Sequence, residues 1–245
     1  MILAHRPSLA RRLAPACLVA LLVAACSPYV APSPSATPMS TIAPSAPAFT
    51  LGPTPSDCPT SAPAAMAAGT TATVTMTTNF GTIVIKVDAS LGPNAAGAFM
   101  ALVKCGYYDN IIFHRIIAGF VIQAGDGQYA RLPAANLDPE KMGTGGPGWN
   151  ITDDPMNSTY KRGTLAIANT GAVNSGGSQF FIVLSDTNTL AQASPAYAVF
   201  GSVTTGMDVV DKIALIPVGG APDAQGNVSM PLEPAVITST TYTTP

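Results

Sequence analysis

Residues Phe113–Asp126, FHRIIAGFVIQAGD, constrain the fold more than any other stretch of the chain. They set a His–Arg pair at the head of a short apolar strand and return a glutamine, Gln123, two residues beyond Phe120-Val121. A second block, ANTGAVNSGGSQFFIVL from Ala168 to Leu184, supplies Asn169, Gln179 and Phe181 as a polar–aromatic cluster. Short strands recur around both blocks. Thr73–Thr77 and Ile83–Val87 flank the turn signal Asn79-Phe80-Gly81. Ile111–Arg115, Gly119–Ala124, Leu165–Ala168, Phe180–Leu184 and Ala198–Val203 are further short apolar strands. Pro93–Cys105 reads as a helix, with Pro93 in its first turn, Ala95, Phe99 and Leu102 on one face, and Gly106 as the stop. A second, shorter helix is expected at Met207–Ile213. Many strands, few helices and frequent glycines predict a mainly β fold built on a closed or nearly closed antiparallel sheet.

The first quarter of the chain belongs to a different class. His5, Arg6, Arg11 and Arg12 form a basic head before the apolar run Leu13–Ala25. That run is too short to span a membrane and fits a secretory signal peptide over residues 1–25. It ends in Val23-Ala24-Ala25-Cys26, which resembles the bacterial lipobox, so Cys26 is the expected lipidation site. Residues 26–69 follow as a linker rich in Pro, Ser, Ala and Thr. Such a segment buries too little apolar surface to offset its ordering entropy. Frequent prolines bias its Ser27–Ser56 part toward extended geometry, and at ~3.1 Å per residue that part reaches on the order of 90 Å. The folded domain is then expected over residues 70–245, long enough for one well-packed core. This order predicts export across the cytoplasmic membrane and a lipid anchor on its outer side.

Composition excludes several chemistries. Without the three arginines of the signal peptide, 8 Lys+Arg face 13 Asp+Glu, a net charge of −5, and no basic stripe offers a surface to nucleic acid. Membrane attachment must therefore come from acyl chains on Cys26. Beyond the signal peptide His114 is the only histidine, so a multi-histidine metal site is ruled out, and no metal is expected. No GxSxG elbow is present. Gly143–Gly148 matches GxGxxG formally, but no apolar strand precedes it and Pro147 spoils a helix start. Nothing points to a bound cofactor. Cys58 and Cys105 remain after removal of Cys17 and lipidation of Cys26; in an exported protein they can pair, or Cys105 can stay a buried thiol.

Together the two blocks resemble the cyclophilins, the peptidyl-prolyl cis–trans isomerases. The resemblance implies an eight-stranded antiparallel barrel, closed and capped by two α-helices, acting as a monomer on proline-containing polypeptides. At matching positions it implies that Arg115 donates to the prolyl nitrogen and that Gln123 assists Arg115 and the substrate carbonyl. Phe120, Val121, Phe181 and Leu190 would line a proline pocket, Ala168 and Asn169 would bind peptide backbone, and Gln179 would complete the polar rim. His114 has two readings, a substrate contact or a structural hydrogen bond. The family's tryptophan falls on Thr189, which argues against cyclosporin-type binding, and its histidine on Tyr197, for which site and packing roles both stand. Val121 replaces a common methionine and Ala118 a proline. A cyclophilin-like module that binds proline-containing segments without catalysis is the alternative.

Overall fold

Threonines alternate with apolar residues in β1 (Thr71–Thr78), so the strand buries one row and shows the other: Ala72, Val74 and Met76 face inward. Strand β2 (Gly81–Asp88) returns antiparallel with Ile83, Ile85 and Val87 buried and Thr78 opposite Gly81. Thr78 Oγ1 closes the turn, accepting from Phe80 N at 3.1 Å and donating to Gly81 O at 2.7 Å. The computed structural model describes residues 56–155, 159–223 and 225–245. The expected signal peptide, Cys26 and the linker up to residue 55 lie outside the described residues.

Helix α1 (Pro93–Lys104) opens on proline and has no cap from its own chain end. The Asp154 carboxylate supplies one from a distant loop, accepting from Asn94 N at 2.9 Å and Ala95 N at 2.7 Å. A negative group at that end also complements the helix dipole. At the other end Gly106 sits at φ 70°. Its N–H bonds Val103 O and the Tyr107 N–H bonds Leu102 O, the paired closure that calls for a left-handed residue at this point.

The sheet contains β3 (Ile111–Ile112), β4 (Arg115–Ile117), β5 (Val121–Ala124), β6 (Thr164–Ile167), β7 (Phe180–Val183), β8 (Val199–Thr205) and β11 (Val236–Thr243) besides β1 and β2. Its order is β3-β11-β1-β2-β8-β6-β7-β5-β4. The strand expected over Ile111–Arg115 is broken in two, and its halves lie at opposite ends of the sheet. The break has a direct cause in the backbone: Phe113 N bonds Ala235 O beside β11, whereas His114 N bonds Gln123 O on β5. Two residues thus join the first and last strands, and the sheet curls to bring its ends together. The result is a mainly β, strongly curled half-barrel with nine strands in the sheet rather than eight. Among the described residues no ladder pairs β3 with β4. Helix α1 packs against β2, β8 and β11; α2 (Met207–Ala214) packs against β2 and β5. A ribbon of β9 (Val218–Gly219) and β10 (Met230–Pro231) lies beside β4.

The main core fills the inside of the curl. Phe99 of α1 meets Tyr108, Phe180 and Phe200 at centroid distances of 5.1, 5.4 and 4.8 Å. Burying each such ring contributes about 1.5–3 kcal/mol. Residues 127–142 leave the sheet as an excursion whose Ala130 O accepts from Ile112 N and whose Leu132 N donates to Asn110 O. That pairing covers the outer edge of β3.

Residues 56–69, read as the end of the linker, make contacts of their own. Cys58 is bonded to Cys105 just beyond α1, resolving the two cysteine readings in favour of pairing. Met66 packs on the core, and its N–H donates to Pro93 O at 2.9 Å. A side chain at Gly97 would strike the Ala64 carbonyl, so the helix accepts this strap only because glycine stands there. Trp149 Nε1 donates to Pro59 O at 2.8 Å and holds the strap's upstream part.

Candidate active site

Alternation along four short strands builds the site. On β5, Ile122 and Ala124 point into the main core, so Val121 and Gln123 point the other way. On β7, Phe180 and Ile182 point inward and Phe181 and Val183 outward; on β6, Ala166 is outward between Leu165 and Ile167. Registered partners in an antiparallel sheet share a face. Arg115 is opposite Gln123, Gln123 opposite Phe181, and Phe181 opposite Ala166. One row therefore runs guanidinium, amide, aromatic ring, small residue across β4, β5, β7 and β6.

The apolar part of this face is a second cluster, separate from the core. It comprises Val121, Tyr160, Ala166, Phe181, Val183, Leu190 and Val199, with Phe120, Ala168 and Tyr197 partly buried at its margin. Tyr197 stands edge-on to Phe181, with centroids 5.2 Å apart and planes at 89°. Its carbonyl accepts from Tyr160 Oη at 2.8 Å, which fixes the backbone that presents the ring. The polar side is equally ordered. Gln123 Nε2 donates to Gln179 Oε1 at 2.8 Å, and Gln179 Nε2 donates to Gly143 O and Gly145 O. Asn169 Nδ2 donates to Ala196 O at 3.3 Å, tying the 169–171 loop to the segment that carries Tyr197.

Two acidic residues in this constellation were not singled out from the sequence. Asp126 is fully buried and gathers four backbone N–H groups: Gln128 and Tyr129 on Oδ1, Gly143 and Gly145 on Oδ2. It thereby fixes the glycine loop whose carbonyls hold Gln179. Its only sequence signal was its place at the end of the first block. Asp223, on the loop between β9 and β10, accepts from Arg115 Nη2 at 3.0 Å and Nε at 3.3 Å. No spacing rule links residues 108 positions apart.

Residues 73–241 match the family described as cyclophilin type peptidyl-prolyl cis-trans isomerase/CLD. The chain belongs to the cyclophilins. A peptidyl-prolyl cis-trans isomerase of Acinetobacter baylyi is 40% identical over 146 residues, which are 59% of this chain and 72% of that protein. Peptidyl-prolyl cis-trans isomerase B of Escherichia coli is 36% identical over 173 residues, covering 69% of this chain and 98% of that protein. Among solved structures, a Cryptosporidium parvum cyclophilin aligns with a TM-score of 0.55 at 29% identity, over 71% of this chain and 98% of that one. The same parasite cyclophilin in the presence of the dipeptide Ala-Pro aligns at 0.53. The chain is thus an enzyme that interconverts cis and trans peptidyl-prolyl bonds.

Within this cyclophilin the expected site residues gather with one exception. Arg115, Gln123, Gln179, Val121, Phe120, Phe181, Leu190, Ala168 and Tyr197 lie on or beside the one face, and Asn169 borders it. Thr189 is exposed next to buried Leu190. His114 departs from the others: it is buried, and among the described residues neither ring nitrogen has a hydrogen-bond partner. Gln179 lies close, but its amide is engaged by Gln123, Gly143 and Gly145. A cavity of about 990 Å³ opens elsewhere, inside the 127–142 excursion. Arg131 at its wall is fully engaged by the carbonyls of Gly127, Asp109 and Tyr107, so it presents no free cation there. Among the described residues no group of three His, Cys, Asp or Glu side chains gathers to hold a metal.

The buried imidazole makes a pH prediction. Burial pushes His114 down to about 4, against the Asp126 carboxylate and with the Arg115 guanidinium. The unfolded chain takes up a proton near pH 6.5, whereas the folded chain resists until about 4. Stability should therefore be level above pH 7 and fall by about 3 kcal/mol as pH drops from 6.5 to 4. Denaturant titrations at pH 7.5 and 4.5 check this. A His114→Asn variant should show a shallower decline; an identical slope would remove His114 as the cause.

Proposed function

We propose that the chain is a lipid-anchored, extracytoplasmic prolyl isomerase that assists folding of exported proteins, with Arg115 stabilising the twisted amide. The observation that carries the catalytic part is the row Arg115–Gln123–Phe181, a charged donor registered beside an amide and an aromatic ring on one sheet face. The barrier to rotating an Xaa–Pro bond is ~18–20 kcal/mol, set by amide resonance. Bringing an event of tens to hundreds of seconds to milliseconds requires about 5.5–7 kcal/mol. In the twisted state the prolyl nitrogen is pyramidal and basic, so a fixed donor favours that state over the planar ground state. Guanidinium is always charged and carries several donors. One charge-assisted bond contributes about 1.5–3 kcal/mol. The rest is assigned to the proline ring held dry against Phe181, Val121 and Leu190, and to the preorganised Gln123–Gln179 pair. No proton or covalent bond is transferred in this scheme.

The clients are proline-containing segments, recognised through the ring and the peptide backbone at Ala168 and Asn169. The dipeptide Ala-Pro used with the parasite relative has the chemistry this face would accept. Export is supported by the signal-like N-terminus and by the Cys58–Cys105 disulfide, a bond favoured in oxidising compartments. Anchoring rests on Cys26 after Val23-Ala24-Ala25. Cells fed a labelled fatty acid should yield labelled protein in the membrane fraction, with label and membrane association both lost in Cys26→Ser. An unlabelled soluble chain would overturn the anchor and leave the catalytic reading intact.

A further inference from the structure

We infer that Asp223 is a positioning residue for the isomerase reaction: it orients the Arg115 guanidinium from the loop between β9 and β10. The inference rests on Arg115 as the transition-state donor. Asp223 Oδ2 accepts from Nε and Nη2 of Arg115, at 3.3 and 3.0 Å. Both side chains are about a fifth exposed, at 23% and 22%, so the pair is largely shielded from water. With Nε and Nη2 engaged on one side, Nη1 remains, and it has no protein partner among the described residues. Arg115 is registered on Gln123, so its strand position heads the catalytic row.

Asp223 is itself held. Its Oδ1 accepts from Gln225 N at 3.0 Å, Asn227 N at 2.8 Å and Asn227 Nδ2 at 3.2 Å. The loop is in turn fastened to the site strand, since Ile116 N donates to Ser229 O at 2.8 Å. Oδ1 therefore carries the loop's backbone donors, while Oδ2 faces the arginine and also accepts from Asn227 Nδ2 at 3.3 Å. The carboxylate also withdraws some of the guanidinium's field from the substrate. Orientation outweighs that loss: a hydrogen bond to a single nitrogen lone pair weakens steeply with angle. A long, unrestrained arginine would be spread over many rotamers.

Asp223→Asn separates the two jobs of the carboxylate, apart from the 3.3 Å contact between Oδ2 and Asn227 Nδ2. The remaining oxygen keeps accepting from the loop N–H groups, while an amide NH₂ replaces the acceptor facing Arg115. Steady-state kinetics of the full chain on an Ala-Pro peptide should show kcat lowered about 3- to 10-fold with KM within twofold. Asp223→Glu, which retains an acceptor for Arg115, should recover part of the loss. In an Arg115→Ala background, Asp223→Asn should change nothing further. An unchanged or raised kcat in Asp223→Asn, with Arg115→Ala still severely impaired, would overturn the inference and spare the catalytic reading. Equal additional losses in the Arg115→Ala background would also overturn it. Full activity of Arg115→Ala would remove both.

Discussion

Replacing Arg115 with alanine is expected to lower kcat/KM for an Ala-Pro peptide by about 10- to 150-fold. The range is the rate equivalent of one charge-assisted hydrogen bond, about 1.5–3 kcal/mol. The loss should fall on kcat, with KM little changed, because the planar amide's nitrogen is a poor acceptor and the contact forms as the bond twists. Folding should hardly change. The Arg115 side chain is about a quarter exposed and lies outside the apolar core, and its strand is anchored by Ile116 beneath it. Arg115→Lys should recover little, since an ammonium is a point charge and cannot hold Asp223 while presenting a second donor edge. A loss confined to KM would mean that Arg115 binds substrate and twisted amide equally well.

The second large effect concerns stability. Breaking the Cys58–Cys105 bond, by reduction or by paired serine substitution, should cost about 4 kcal/mol in the chain-entropy account for its 47-residue separation. For a folded unit of this size that lowers the Tm by roughly 8–16 °C. The bond does more than close a loop. It places the strap 56–67 where Met66 covers the core, Pro59 meets Trp149, and Ala64 lies against Gly97. Differential scanning calorimetry with and without reductant reads the shift directly. A change below about 2 °C would mean that the strap's packing holds it without the bond.

Much of this architecture was legible because the sheet imposes a period of two on short apolar runs. The β1–β2 hairpin, α1 with its glycine stop, and both site blocks stand where their residues predict. What escaped was set by distance. Ile111–Arg115 reads as one strand because its apolar run is continuous, yet Phe113 and His114 bond opposite ends of the sheet. His114 sits in the two-residue junction ahead of β4, and its ring is buried while Arg115 heads the row on the open face. The Arg115–Asp223 contact depends on how the β9–β10 ribbon lies against β4. The sequence around Asp223, Ala221-Pro222-Asp223, announces a turn and says nothing about what that turn touches. The Asp154 cap on α1 belongs to the same kind of long-range contact. The role of Asp126 was partly visible, since it closes the first block, but its four N–H partners are defined only once the glycine loop folds back over it.

The central claim is that this face of the sheet catalyses rotation rather than merely holding proline-containing segments. Magnetisation-exchange NMR on a short Ala-Pro peptide with the full chain tests it most directly. The account predicts cis and trans signals exchanging far faster than in the free peptide, with that exchange collapsing in Arg115→Ala. Exchange no faster than the free peptide, while peptide shifts still report binding at the Gln123–Phe181 face, would contradict it and leave a binding module.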